Sequence, residues 1–413
     1  MKPTHIHDSL MKLDRWVARA EWKGYDTFDG LSSPFARVLT LNRPLLKICW
    51  QQSVRRFPIN LRPLLRIKPG MSTKAMGFFA QGYLKLHQTH GDAIYLDKAR
   101  FCLQWLIENR AKQFKGFCWG NHFEYQSRGG NIYKGAPTIV WTGLIGHAFL
   151  DAYEQLGTKH YLDVAKSACD FILDELGWME FPEGVLLRYY PNADILVHNS
   201  SMIGASLLAR VHSFQPEARY RTMSERAMQF SLHHQMDDGA WYYGVGQKWA
   251  WVDSFHTAYD LESLHTFIRC TGAKQYEPAL RKGYRYFVET FFEPDGTPRY
   301  YAQKTLPIDI QCASQAIQTL INLRELHPDS VATAYQVAEW TIRHMQDPTG
   351  YFYYRKYPFI TNKTPTLHWG QATMFAALAL LERHLVTNKT TTINGESAIK
   401  GRKPALEPGA VRG

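Results

Sequence analysis

A pattern that returns every 53 to 63 residues constrains the fold of this 413-residue chain more than any other feature. Each unit opens with a helix rich in small and apolar residues. These helices begin near Ala75 (AMGFFAQGYLKLHQTHG), Thr138 (TIVWTGLIGHAFLDAYEQLG), Asn199 (NSSMIGASLLARVHSF), Thr257 (TAYDLESLHTFIRCTG), Ile310 (IQCASQAIQTLINLREL) and Trp369 (WGQATMFAALALLERHL). Five of them are followed by a more amphipathic partner, such as YLDKARFCLQWLIENR, so the units read as helical hairpins. Three first helices run to a Gly at or near their end (Gly91, Gly157, Gly272), a residue suited to helix termination. Six such hairpins close naturally into a ring, with first helices inside and second helices outside. The expected fold is therefore all-α, an (α/α)6 barrel over residues 71–385. The sixth inner helix has no partner behind it. The helix expected in SPFARVLTLNRPLLKICWQQSVRRF is the candidate for that outer place, within a basic N-terminal extension (1–70) that packs on the barrel. Residues 386–413 are polar and are expected to form a disordered basic tail.

Between each outer helix and the next inner helix lies a long aromatic segment. The five are FKGFCWGNHFEYQSRGGNIYKGAP, WMEFPEGVLLRYYPNADILVH, DGAWYYGVGQKWAWVDSFH, DGTPRYYAQKTLPID and TGYFYYRKYPFITNKTPTLH. Each can form a short hairpin or loop at an inner-helix entrance, so all five share one rim and line one cleft with rings. The 12 Trp and 23 Tyr of the chain matter chiefly for this placement.

Charge is distributed unevenly. The net charge is +11, yet residues 30–91 hold ten Lys and Arg and no Asp or Glu. A basic section beside a near-neutral body points to an anionic partner on one side, or to a solvated basic face. Arg55, Arg56, Arg62, Arg66 and Lys68 lie closest together and are expected to meet an anionic membrane or a lipid-linked diphosphate. No apolar run reaches transmembrane length, and the N-terminus lacks a signal-peptide core. The expected location is cytoplasmic, with peripheral contact at the inner membrane face. Neither a nucleotide-binding loop nor a zinc motif is present, and the close pairs His5/His7 and His233/His234 have no further ligand nearby in sequence. No metal, cofactor or nucleic-acid partner is therefore expected.

These features together resemble the six-hairpin (α/α)6-barrel carbohydrate-active proteins, which include glycoside hydrolases, polysaccharide lyases and sugar epimerases. More narrowly, GYDTFDGLSSP, FPINLRPLL, VHNSSMIGASLLAR, DSFHTAYDLESL, LPIDIQCASQAI, GYFYYRK and HWGQATMFAAL resemble a family encoded among surface-polysaccharide and glycosylation genes. Some members bear a delta-aminolevulinic acid dehydratase label. That enzyme needs a Schiff-base lysine in a β/α barrel, and this chain shows no strand–helix alternation. A competing resemblance is carried by Gln235…Gly239-Ala-Trp241 and, more weakly, Gln346…Gly350-Tyr-Phe352. They fit the Gln-x-x-x-Gly-x-Trp repeat of terpene cyclases and prenyltransferases, whose physical task is to pin an outer helix to the next turn. The resemblance implies a carbohydrate-active enzyme of glycan assembly, acting on an oligosaccharide or lipid-linked glycan by hydrolysis, β-elimination or epimerisation. A non-catalytic glycan-binding or scaffold protein is the alternative.

The most polar inner-helix entrance is Trp251-Val-Asp253-Ser-Phe-His256-Thr-Ala-Tyr259. On a helix Asp253, His256 and Tyr259 share one stripe, which suits general acid–base work, although Asp253 also suits a plain N-cap. His198 and Asp309 open other inner helices and are the further catalytic candidates, with the same capping alternative. Substrate-binding candidates are Asn199, Glu124, Arg128, Arg188, Trp251, Gln311, Tyr354, Arg355, His368, Trp369 and Gln371: rings to stack on a pyranose, amides and imidazole for its hydroxyls, arginines for a carboxylate or phosphate. Tyr25, Asp26 and Asp29 sit in a Gly-bounded turn that can reach the same rim.

Overall fold

A computed structural model describes residues 3–400, with side chains to Asn388. The helices, in chain order, are α1 (Pro3–Arg19), α2 (Ala36–Thr40), α3 (Pro44–Arg56), α4 (Thr73–His90) and α5 (Ala93–Glu108). Next come α6 (Ile139–Leu156), α7 (Lys159–Asp170), α8 (His198–Phe214), α9 (Ala218–His233) and α10 (Ser254–Thr271). The last are α11 (Glu277–Thr290), α12 (Ile310–Asn322), α13 (Ser330–Met345) and α14 (Thr373–Lys400). Helices α4, α6, α8, α10, α12 and α14 each pack on the next in that order, and α14 returns to α4, closing an inner ring. The chain is an all-α (α/α)6 barrel.

Local chemistry explains the boundaries. Thr138, Asp253 and Asp309 cap α6, α10 and α12 by accepting backbone N–H bonds from Trp141, His256 and Gln311. Gly91, Gly157 and Gly272 end α4, α6 and α10 in the left-handed conformation. The aromatic segments all lie at the end where inner helices begin. They form the antiparallel hairpins β1–β2 (Tyr125–Ser127, Gly130–Ile132) and β3–β4 (Trp178–Phe181, Gly184–Leu187). A third small sheet joins β5 (Ile308–Asp309), β6 (Arg355–Lys356) and β7 (Thr361–Asn362).

The sixth outer place corrects the sequence reading. It belongs to α1, whose Ile6, Leu10, Leu13 and Val17 are fully buried against the ring, chiefly on α14. Four such side chains stabilise that contact by about 1.5–3 kcal/mol each. The glutamine repeats explain how α1 is held. Gln235 Nε2 donates to Gly239 O and to Ala279 O of the next outer helix, each at 3.0 Å. Gln346 Nε2 does the same to Gly350 O and to Ser9 O of α1, at 2.9 and 3.0 Å. Gly350 (φ +117°) presses its Cα onto the α1 backbone, where a Cβ would sit 2.3 Å from Lys12 O. Helix α3, expected in this place, instead crosses the mouth of the barrel and packs on the turn Asp29–Ser32 and on β1. Its Leu45 and Leu46 are exposed, so it has no apolar face turned to the ring. The tail expected from Val386 onward continues α14 to Lys400, and residues 401–413 lie outside the described residues. Among the described residues no helix is long and apolar enough to cross a membrane.

Candidate functional site

The N-terminal ends of the inner helices and the aromatic segments converge in a ring-lined site, the cleft, at one end of the barrel. The N-terminal section roofs one side of it, held by backbone bridges from Gly24 to Gly70 and from Tyr25 to Thr366. At its centre is Asp253. Oδ1 accepts the His256 N–H at 3.0 Å, which is the helix cap. Oδ2 accepts Trp251 Nε1–H at 3.0 Å and lies 2.7 Å from His256 Nδ1. One buried carboxylate therefore performs both tasks left open by the sequence: it caps α10 and orients the imidazole. His256 Nε2 has no hydrogen-bond partner among the described residues, and the side chain is 18% exposed. The Tyr243 ring lies 4.4 Å from the imidazole and stacks on Trp251 at 4.5 Å.

Further along α10, Asp260 is almost fully buried, and burial together with the nearby Asp253 raises its pKa well above the carboxylate range. The phenols of Tyr125, Tyr189, Tyr243 and Tyr300 are all shifted upward by burial, so they remain proton donors. Tyr300 stands between two charge systems, feeling both Asp253 and Arg55.

Arg55 is a cleft residue rather than a surface one. Its Nε donates to Tyr354 Oη at 2.7 Å, and its guanidinium lies 4.5 Å from the Phe28 ring centroid and 5.9 Å from that of Trp369. It has no carboxylate partner within ion-pair distance among the described residues. Arg355, by contrast, is paired with Asp309, its Nε donating at 2.9 Å. Trp369 joins the two halves of the cleft, with Phe28 and Phe255 each 5.7 Å away.

Below these groups sits Lys74, 4% exposed. Its ammonium lies 5.3–5.8 Å from the ring centroids of Phe78, Trp141, Tyr259 and Trp369. Burial lowers its pKa to about 8, opposed by Asp26. Asp26 contacts His368 directly and is itself pushed up to about 6 by burial, against the pull of His122 and Arg62. Lys74 marks a floor. Beneath it a 570 Å³ cavity runs down the barrel axis from Phe78 and Tyr259 toward the other ends of the inner helices. There Arg210 holds Asp151 and Glu154 at 2.6 and 3.0 Å.

Several sequence candidates stand elsewhere. His198 is turned outward between α8 and α9, its Nδ1 3.2 Å from Ser231 Oγ and its ring against Phe230 and His234. Burial drops its pKa to about 3, so the structure removes it from the cleft. Asp309 is spent on capping Gln311 and pairing Arg355. Gln371 clamps the backbone of Phe352 through both amide atoms. Arg188 pairs with Asp194 in its own loop at 2.6 Å, and Glu124 with Lys47 at 2.8 Å. Tyr259 faces Lys74 in the floor. Asn199 and Gln311 are buried, each with a side-chain oxygen that lacks a partner. Arg128 is exposed, 5.6 Å over the Trp251 ring. His368 is buried against Asp26, under Trp141 at 5.6 Å.

The basic cluster is divided as well. Arg62 is buried in an ion pair with Asp29 at 2.8 Å, and Arg55 is in the cleft. Only Arg56, Arg66 and Lys68 face solvent. Sequence reasoning missed Lys74, Asp260 and Tyr300. A lysine in the first turn of an otherwise small and apolar inner helix was the one visible signal. Among the described residues, His7, His90 and Glu382 have ligand atoms within 4.8 Å of one another, the spacing a metal ion needs. They lie away from the cleft, where Glu382 Oε1 meets His7 Nδ1 at 2.7 Å and His90 Nε2 at 3.0 Å.

No family model matches the sequence, and no curated protein matches it. Solved structures do share the fold. A sugar epimerase from a ruminal bacterium superposes with a TM-score of 0.60 at 12% identity, covering 77% of this chain and 88% of that one. Cellobiose 2-epimerase from Bacillus thermoamylovorans gives 0.58 at 13%, covering 76% and 88%. The GH76 α-mannanase BT2949 of Bacteroides thetaiotaomicron gives 0.53 at 14%, covering 78% and 88%.

Proposed function

We propose that this chain is a carbohydrate-active enzyme that moves a proton at a sugar carbon beside a carboxylate, by β-elimination or epimerisation of a uronate-containing glycan. The observation that carries this reading is the Asp253–His256 pair, whose Nε2 has no partner among the described residues, in a ring-lined site that also holds Arg55. The argument is chemical. Hydrolysis by the usual pair needs one protonated and one ionised carboxyl across the bond, and Asp253 is instead committed to capping α10 and orienting His256. Proton abstraction needs a base, a donor and a cation to neutralise the carboxylate. His256 Nε2 is the base, with Asp253 fixing its tautomer and stabilising the imidazolium. Tyr300, or Tyr243 on the imidazole face, is the donor. Arg55 carries no carboxylate of its own and presents free guanidinium N–H groups to the substrate. Trp251, Trp369 and Tyr243 offer faces for sugar rings.

The sugar-processing names of the structural neighbours support the substrate class. The family motifs support a place in surface-polysaccharide or glycan assembly on the cytoplasmic side, with a lipid-linked glycan as substrate.

The test uses uronate-containing oligosaccharides in D2O. The wild-type protein is expected to exchange the C5 proton or to form an unsaturated uronate. His256→Ala and Asp253→Asn should each lose at least about 10²-fold in turnover while retaining binding. Proton exchange that survives both substitutions would overturn the assignment. Binding without any turnover in the wild type would leave a glycan-binding protein instead.

A further inference from the structure

The segment that roofs the cleft has an outer face unlike the rest of the surface. Val38, Leu39, Leu41, Leu45, Ile59 and Leu64 are 58–77% exposed. Beside them, Phe359 at the tip of the β6–β7 loop is fully exposed. That loop is tied to the end of α3, because Asn362 Nδ2 donates to Phe57 O at 2.8 Å. Isolated surface apolar residues are ordinary, but a run of this density on one short section is not.

The charge around them is of one sign. Arg37, Arg43, Arg56, Arg66 and Lys68 are exposed on the same section, and residues 30–91 contain no acid. Arg66 lies 5.8 Å over the ring of Phe35, so basic and apolar groups are interleaved.

We infer that this face docks on an anionic phospholipid bilayer, its aliphatic side chains entering the acyl boundary and its cations meeting the headgroup phosphates. A second copy of the chain fits poorly. An isologous contact through this face would set the cations of one copy against those of the other, with no acid on the section to offset them. The chain turns from one environment to the other within three residues: Arg55 points into the cleft, while Arg56 and Phe57 are exposed. Docking would therefore set the cleft beside the headgroup layer, where a lipid-linked anionic glycan presents its sugar. That last step rests on the proposed reaction, whereas the docking itself does not.

The experiment is co-sedimentation of the full chain with phosphatidylcholine vesicles and with vesicles that also contain phosphatidylglycerol. Binding is expected to the second and not the first. It should fall as salt shortens the screening length from about 10 Å at 0.1 M to about 3 Å at 1 M. The double variant Val38→Asp, Leu64→Asp should lose more than about tenfold in binding with an unchanged thermal midpoint, since both side chains are already solvated. Arg56→Glu with Lys68→Glu should weaken it similarly. No binding to either vesicle overturns the inference. So does binding indifferent to the Val38/Leu64 pair, which marks a charged surface only. A concentration-dependent dimer that the Val38/Leu64 pair abolishes would assign the face to a second copy. Because no sugar is present, failure here leaves the proposed reaction untouched, and failed turnover leaves the docking untouched.

Discussion

Lys74 is the residue on which burial and charge conflict most directly. Its ammonium is 4% exposed and ring-surrounded, and burial brings its pKa from 10.5 to about 8. The folded protein therefore gives up this proton more readily than the unfolded chain. Carrying the charge costs stability in full below pH 8, and the cost fades between pH 8 and 10.5. Lys74→Met is expected to stabilise the protein by about 1–3 kcal/mol at pH 7 and by little at pH 10.5, read from denaturant unfolding at both values. Glu262 presents the opposite titration. Burial raises it to about 7, despite hydrogen bonds from Thr319, Asn322 and Gln315. The folded state then holds its proton more tightly, so stability present below pH 4.5 is lost as pH rises toward 7. Glu262→Gln should flatten that fall, a gain of about 1–3 kcal/mol at pH 8 that vanishes near pH 4. At this scale the sequence was half legible. Asp253 and His256 announced themselves by i, i+3 spacing at a helix entrance. Lys74 did not, and its coupling to Asp26, which the sequence placed only in a turn able to reach the rim, spans 48 positions and arises when the N-terminal section folds over the mouth.

Elements reveal which turns support the ring. Gly91 and Gly350 both have positive φ, at +78° and +117°, but their surroundings differ. A Cβ on Gly91 would meet nothing within 4 Å, whereas one on Gly350 would strike the α1 backbone. Gly91→Ala should cost about 1 kcal/mol, the conformational penalty alone. Gly350→Ala should cost about 2–4 kcal/mol and loosen α1, seen as faster amide exchange in that helix. The hairpin units were readable because each repeats one hydrophobic period. The identity of the sixth outer helix was not. Helix α3 carries Leu45, Leu46 and Val54, enough to imitate a packing face, and only Val54 is buried. Helix α1 carries Ile6, Leu10, Leu13 and Val17 at 4-, 3- and 4-residue steps, a cleaner stripe in a segment read as part of an extension.

At the scale of the whole molecule the two helices can be told apart by stability. Leu13→Ala removes a fully buried side chain and is expected to cost about 2–5 kcal/mol. Leu45→Ala removes a side chain already 70% exposed and should stay within about 0.5 kcal/mol. Urea unfolding of both variants measures the difference, and equal costs would contradict the placement of α1. The barrel is also asymmetric along its axis. One end is an aromatic cleft with the Asp253–His256 pair, and the other opens from a lumen where Arg210 neutralises two acids. Arg210→Met would leave Asp151 and Glu154 without their cation. It should cost about 3–5 kcal/mol in the same assay.

The placement of α1 also sets an order of events during synthesis. Helix α13 begins at Ser330, 311 positions after α1 ends at Arg19, and α14 follows later still. At about 5–20 residues per second, roughly 15–60 s pass before the ribosome has made the surfaces that α1 will cover. The stripe of Ile6, Leu10, Leu13 and Val17 must stay out of other contacts for that whole interval. The helix emerging earliest among the six outer ones is thus the last to find its seat, and nascent barrels without it should be the species that chaperones hold.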